Sequence, residues 1–168
     1  MRATALPLGA PPGATRAVIR RVGDEIEMVN LRWGLGAIAG EDGKGRRFIR
    51  SEGRAFPSHR CLIPASEFQV VRNDEPYRVA LEDGDWFYLA GIWQPAERDW
   101  PEAFAVLTVE ANGEVARYQS RQGALLRRNR HMAWLDHTIA QSEILVPPPA
   151  GIFTISRMPA DLQGGLAL

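Results

Sequence analysis

The sequence predicts an α+β fold that is mostly antiparallel β, a barrel-like sheet with a few short peripheral helices, formed by one domain over residues 1–168. Three observations predict it. Short apolar runs rich in valine, isoleucine and aromatic residues recur along most of the chain. Turn signals at Gly23-Asp24, Asn73-Asp74-Glu75-Pro76, Asp83-Gly84 and Ala111-Asn112-Gly113 punctuate them at close intervals, the spacing of hairpin-connected strands. Helical character appears only late, around residues 133–139.

Residues 17–21 and 26–31 read as two strands joined by Gly23-Asp24, a hairpin. Gly34-Leu35-Gly36 breaks that pattern, and the glycine- and charge-rich stretch 39–45 reads as a loop. Residues 48–56 are ambiguous and admit a short helical turn, weakened by Gly53. Residues 61–63 form a buried-strand candidate that Pro64 is expected to end, because proline cannot donate to a ladder. Residues 68–72 and 77–81 flank the Asn73–Pro76 turn, and 86–93 form an aromatic strand with Gly91 near its end. Residues 95–101 read as a polar loop, 104–109 as a strand, Pro147-Pro148-Pro149 as extended backbone, and 152–155 as a last strand.

A chain of 168 residues with 45% hydrophobic content and five tryptophans buries a real core. The single cysteine, Cys61, excludes an internal disulfide framework and a Cys-rich zinc module. No stretch reads as a signal peptide or membrane span, so a cytoplasmic protein without membrane partners is expected. Net charge is zero, which removes global attraction to nucleic acid. The distribution is uneven. Lys44, Arg46, Arg47, Arg50, Arg54 and Arg60 face one acid, Glu52, and Arg117, Arg121, Arg127, Arg128 and Arg130 face none. Two such segments suit a local phosphate-binding groove, or they are solvated faces of an arginine-rich protein.

The residues alone mark no active site. His59 and Cys61, two apart, would share a face of a strand but are too few for zinc. Asp136-His137 has no nucleophile beside it, and no phosphate-loop, HExxH, GxSxG or GxGxxG pattern occurs. No metal or cofactor is expected. Trp33, between Arg32 and Gly34, is either a core residue closing the barrel or a platform on which a base stacks.

Several strings, taken in order, resemble one family. They are Leu31-Arg32-Trp33-Gly34-Leu35, Arg50-Ser51-Glu52, Arg60-Cys61-Leu62-Ile63-Pro64-Ala65 with Phe68, Ala90-Gly91-Ile92-Trp93, Leu107-Thr108-Val109-Glu110-Ala111-Asn112 and Trp134-Leu135-Asp136. Together they resemble the SRAP domain, the SOS response-associated peptidase-like proteins that crosslink to abasic sites in single-stranded DNA. The resemblance implies a barrel-like antiparallel sheet. It also implies a cysteine at residue 2, whose amine and thiol trap the sugar aldehyde, helped by an asparagine, a glutamate and a histidine. Here those positions hold Arg2, Phe48, Val70 and Gln119. None supplies a nucleophile or a titrating acid–base group, so no catalytic residue is assigned and the crosslinking activity is expected to be lost. The family's peptidase label gains no support from these residues.

What the resemblance retains is a binding frame: Trp33, Arg50, Glu52, Arg60 and Thr108. Arg50 would contact phosphate and Trp33 would wedge or stack. Glu52 would serve the site or pair with Arg50 or Arg54, and Thr108 would touch the strand or simply pair in the sheet. The expected partner is single-stranded or abasic DNA, held non-covalently. Two alternatives stand beside this: a pseudoenzyme serving as a protein-interaction module, with Phe48, Val70 and Val71 making an apolar patch, and residual Schiff-base chemistry through the Met1 amine. An incorrectly assigned start upstream of Arg2 is also open.

Overall fold

The computed structural model of the chain describes residues 10–36 and 43–159. Met1 and Arg2, and most of the loop expected at 39–45, lie outside the described residues.

Strands β1 (Thr15–Val22) and β2 (Glu25–Trp33) form the expected hairpin, with Gly23 at φ +60° in its two-residue turn. Then come β3 (Phe48–Arg50), β4 (Arg60–Ala65), β5 (Phe68–Arg72), β6 (Glu75–Leu81), β7 (Phe87–Gln94) and β8 (Ala103–Glu110). Two three-residue strands, β9 (Arg121–Gly123) and β10 (Leu125–Arg127), precede helices α1 (His131–Asp136) and α2 (Gln141–Ile144), and β11 (Phe153–Arg157) closes the described chain.

The main sheet runs β10-β7-β4-β1-β2-β8-β3, with β9 on β8. Because β7 also pairs with β8, the neighbours β7, β4, β1, β2 and β8 close into a ring of hydrogen bonds. This is the form taken by the expected barrel-like sheet. Two of its pairings, β2–β8 and β3–β8, are parallel. A second, three-stranded sheet, β11-β6-β5, packs its apolar side chains into the same core.

Strand alternation sorts the apolar residues into two clusters. Cys61, Ile63, Phe104 and Val106 join Trp33, Phe68 and Val70 in the first, whereas Leu62, Ala105, Leu107 and Val109 join Trp134 and Ile144 from the helices in the second. The central strands therefore bury both faces. All six residues of β4 are buried, which is why its sequence is a continuous apolar run rather than an alternating one.

Three sequence expectations are corrected. Pro64 does not end its strand: β4 continues to Ala65, with Pro64 opposite Tyr88. Trp93 N donates to His59 O, and this sets the alternation of the ladder so that residue 64 needs no donor toward β7. β1 pairs with β4 in the ladder only at Cys61 and Leu62, so no bond is lost on that side either. Residues 48–50 form a strand, not a helical turn, because β8 offers a free edge on which they lie in parallel register. His59 precedes β4, takes a left-handed φ of +58°, and stacks on Trp93 at 4.4 Å. It therefore shares no strand face with Cys61.

Two glycines are required by contacts. At Gly34, φ is +130° and a Cβ would lie 1.9 Å from the Lys44 carbonyl oxygen. At Gly91, a Cβ would meet Ile63 Cδ1 at 2.5 Å and Ala105 O at 2.8 Å, in the middle of the ring.

Candidate functional site

On the first-cluster face of the sheet, parallel register sets Phe48 beside Val106 and Arg50 beside Thr108, and β9 continues the row with Gly123 opposite Thr108. With Phe68 and Gln69 of β5 and with Leu89, these residues line a cleft of about 360 Å³. Its floor is apolar: Phe68, Leu89 and Val106. Its rim is polar: Arg50, Thr108, Gln119 and Arg121. A larger cavity, about 600 Å³, lies between Leu125–Arg127 and Pro147–Pro149. It holds none of Trp33, Phe48, Arg50, Glu52, Arg60, Val70, Thr108 and Gln119, the positions the family resemblance marks, so the smaller cleft is the candidate.

Arg121 is fixed. Its Nε donates to Thr108 Oγ1 at 3.0 Å and its Nη2 to Thr108 O at 2.8 Å and to Glu52 Oε2 at 2.7 Å. The hydrogen bond from Arg121 holds the Glu52 carboxyl below its ordinary range. Glu52 thus pairs internally, but with Arg121 rather than Arg50 or Arg54. Arg50 differs. Its side chain is exposed and makes no hydrogen bond or salt bridge among the described residues. Beside it stands Phe48, 44% exposed, its ring edge-to-face with Trp33 at a centroid distance of 5.4 Å.

The structure brings Phe48, Arg50, Thr108 and Gln119 together at the cleft, with Glu52 at its edge through Arg121. It does not bring Trp33, Arg60 or Val70 there. Trp33 is 2% exposed, donates from Nε1 to Arg47 O at 3.1 Å and lies beneath the Arg47 guanidinium. Its indole is closed to a base, and it instead backs Phe48. Arg60 is buried over Trp134, donating to Phe56 O at 2.8 Å and Trp134 O at 3.0 Å. It braces α1 rather than facing the cleft. Val70 is wholly buried in the first cluster. Thr108 is 8% exposed and engaged within the sheet.

Nor do the two arginine runs form one continuous groove. Arg47 and Arg60 turn inward, Arg127 pairs with Asp83 and Arg128 with Asp85. Only Arg50 and Arg121 meet at the cleft. Sequence reasoning missed Arg121 as a site residue, and its place in the acid-free run 117–130 was the available signal. Chemically, the cleft offers a cation, an exposed aromatic ring and amide groups. Among the described residues its lining holds no histidine, cysteine, carboxylate or lysine, and the groups present suit the holding of anions and flat rings.

The ringed sheet flanked by short helices, with this cleft at β3, β8 and β9, defines the class of protein that the comparisons now specify. The family model described as SOS response associated peptidase (SRAP) matches residues 9–160, and the chain belongs to that family. Similar solved structures include a protein from Bordetella bronchiseptica at 22% identity and TM-score 0.72, covering 88% of this chain and 85% of that one. A protein from Bacteroides thetaiotaomicron matches at 21% identity and TM-score 0.70, covering 90% and 77%. A phage-related protein from Bordetella bronchiseptica matches at 19% and 0.66, covering 89% and 80%. At these identities the likeness is one of fold. No curated protein matches.

The strings that carry the family resemblance do mainly structural work. Trp134 Nε1 donates to Cys61 O at 3.0 Å and Gly91 O at 3.3 Å, tying α1 to β4 and β7. Asn112 Oδ1 accepts from Val115 N at 3.0 Å while its Nδ2 donates to Pro149 O at 3.2 Å. Among the described residues no group of histidine, cysteine and carboxylate side chains could hold a metal, and no helix is long and apolar enough to cross a membrane.

Proposed function

We propose that this SRAP-family protein binds single-stranded DNA, including strands with abasic sites, without forming a covalent bond, and that Phe48 and Arg50 are the principal contacts. One observation carries the reading: an exposed phenyl ring and an exposed guanidinium that makes no hydrogen bond or salt bridge among the described residues stand two positions apart on one face of β3, at the mouth of an apolar cleft. Single-strand binders combine these two elements, an aromatic ring under a base and a cation on the backbone. Phe48 thereby takes the stacking role first assigned to Trp33.

Loss of crosslinking is supported by the cleft's chemistry. A phenyl ring occupies the family's amide position, Gln119 replaces an imidazole, and Val70 is sealed in the core, so no group among the described residues there relays a proton.

Fluorescence anisotropy with a labelled single-stranded oligonucleotide tests binding. Affinity is expected at low salt and should fall steeply as salt rises; no change in anisotropy at low salt would refute the proposal. Borohydride treatment of the protein with abasic DNA tests the second half. No trapped adduct is expected, and an adduct would restore covalent chemistry, with the Met1 amine as the first group to block.

A further inference from the structure

A second polar site lies away from the cleft and shares no residue with it. The β1–β2 turn, the residue before β4 and the C-terminal end of α1 enclose a pocket of about 330 Å³ lined by Arg21, Gly23, His59, Arg60, Asp136 and His137. Its charges do not balance. Asp136 is its one acid and is already paired with Arg21. Arg60 is 8% exposed, donates only to carbonyl oxygens through Nε and Nη1, and meets no carboxylate among the described residues. Its Nη2 makes no hydrogen bond there. That nitrogen is not closed off from solvent, so a guanidinium with no carboxylate beside it keeps a donor for an anion entering the pocket.

The two imidazoles point to the same ligand. His59 and His137 both hold left-handed backbone at φ +58°, a conformation in which histidine, like asparagine and aspartate, is enriched among non-glycine residues. His137 occupies the residue that terminates α1, where glycine or asparagine is usual. Both histidines open on the one pocket, which places two imidazoles beside Arg60. Burial, and then the nearby Arg60 charge, hold His137 below the ordinary histidine range. A bound anion would offset the second of these effects.

We propose that this pocket is a phosphoryl-anion site, in which Arg60 supplies a fixed charge and the His59 and His137 rings supply hydrogen-bond donors. The charged and titratable groups around the imidazoles are Arg21, Arg60 and Asp136, with Asp24 at the neighbouring turn. The anion is free inorganic phosphate or the terminal phosphate of a nucleic acid.

The experiment follows the imidazole NMR resonances of the full chain. Inorganic phosphate is expected to shift both His59 and His137. Sulfate, which stays a dianion throughout, is expected to bind about tenfold more tightly at pH 5.5 than at pH 8. The double variant His59→Asn/His137→Asn keeps side chains that tolerate left-handed backbone and should lose the pH dependence of sulfate binding. Arg60→Met also removes the hydrogen bonds that brace α1, so the histidine pair decides the matter. A 5′-phosphorylated oligonucleotide that shifts the imidazoles where its unphosphorylated counterpart does not identifies the nucleic-acid source; phosphate alone doing so identifies the free ion. Unmoved imidazoles with every anion, or sulfate binding unchanged in the double variant, overturns the proposal.

Discussion

Exchanging Phe48 and Arg50 one at a time separates stacking from charge at the cleft. Phe48→Ala removes a ring with one edge on Trp33 and the rest open, 44% of the residue exposed, so it can stack a single base. Such a contact contributes about 1–3 kcal/mol, and since 1.4 kcal/mol is tenfold in Kd, a loss of about tenfold is expected. Only the packed half of the side chain supports the fold, so folding stability should drop by about 1–2 kcal/mol and leave the protein native at 25 °C. Arg50→Gln removes one phosphate contact and should flatten the slope of log K against log salt by about 0.7, the single-strand value per neutralised phosphate. Phe48→Ala should leave that slope unchanged. The assay is oligonucleotide anisotropy over a salt series, with circular dichroism confirming that each variant is folded. Wild-type affinity and slope in both variants would place DNA elsewhere on the molecule and refute the reasoning.

Three further outcomes are expected. Gly91→Ala drives a methyl into Ile63 and the Ala105 carbonyl at the centre of the ring, and should cost about 1–3 kcal/mol in urea unfolding; a change below about 0.5 kcal/mol would mean that β7 shifts freely. Burial pushes the Cys61 thiol up, away from the reactive thiolate, so an aromatic disulfide reagent should label the protein only once guanidinium unfolds it, and rapid labelling of the native protein would contradict the buried placement. Arg121 depresses the Glu52 carboxyl. A group whose folded value is lowered stabilises the protein above its unfolded value and loses that contribution as pH falls through the folded one. Glu52→Gln should therefore narrow the difference in urea midpoint between pH 7 and pH 3, modestly because the pair is solvent-facing; an unchanged difference would show the ion pair to be idle.

Much of the strand architecture could be read from the chain because it depends on local rules. The β1–β2 hairpin follows from two apolar runs around Gly23-Asp24, and β4 from an apolar run too short for a helix. The family was legible for a related reason: Trp134, Gly91 and Asn112 hold strands and turns together at fixed spacings, so their order in sequence records the fold. Strand β3 and the short β9 and β10 were not legible, since three residues carry no periodicity and take their conformation from a neighbouring edge.

The sequence by itself determined the fold class, the family and the presence of side chains without an acid–base group at Phe48, Val70 and Gln119, because side-chain identity alone decides whether a group can attack or transfer a proton. Only the tertiary structure decided which side chains meet solvent. Trp33 and Phe48 are both aromatic residues near arginines, yet one is sealed beneath Arg47 and the other stands open beside Arg50. Arg60 and Arg50 are equally basic in sequence, and one is spent on carbonyl oxygens inside. Exposure and pairing are properties of contacts between residues far apart in the chain, set by how β3 and β9 dock on β8, and no local pattern encodes them.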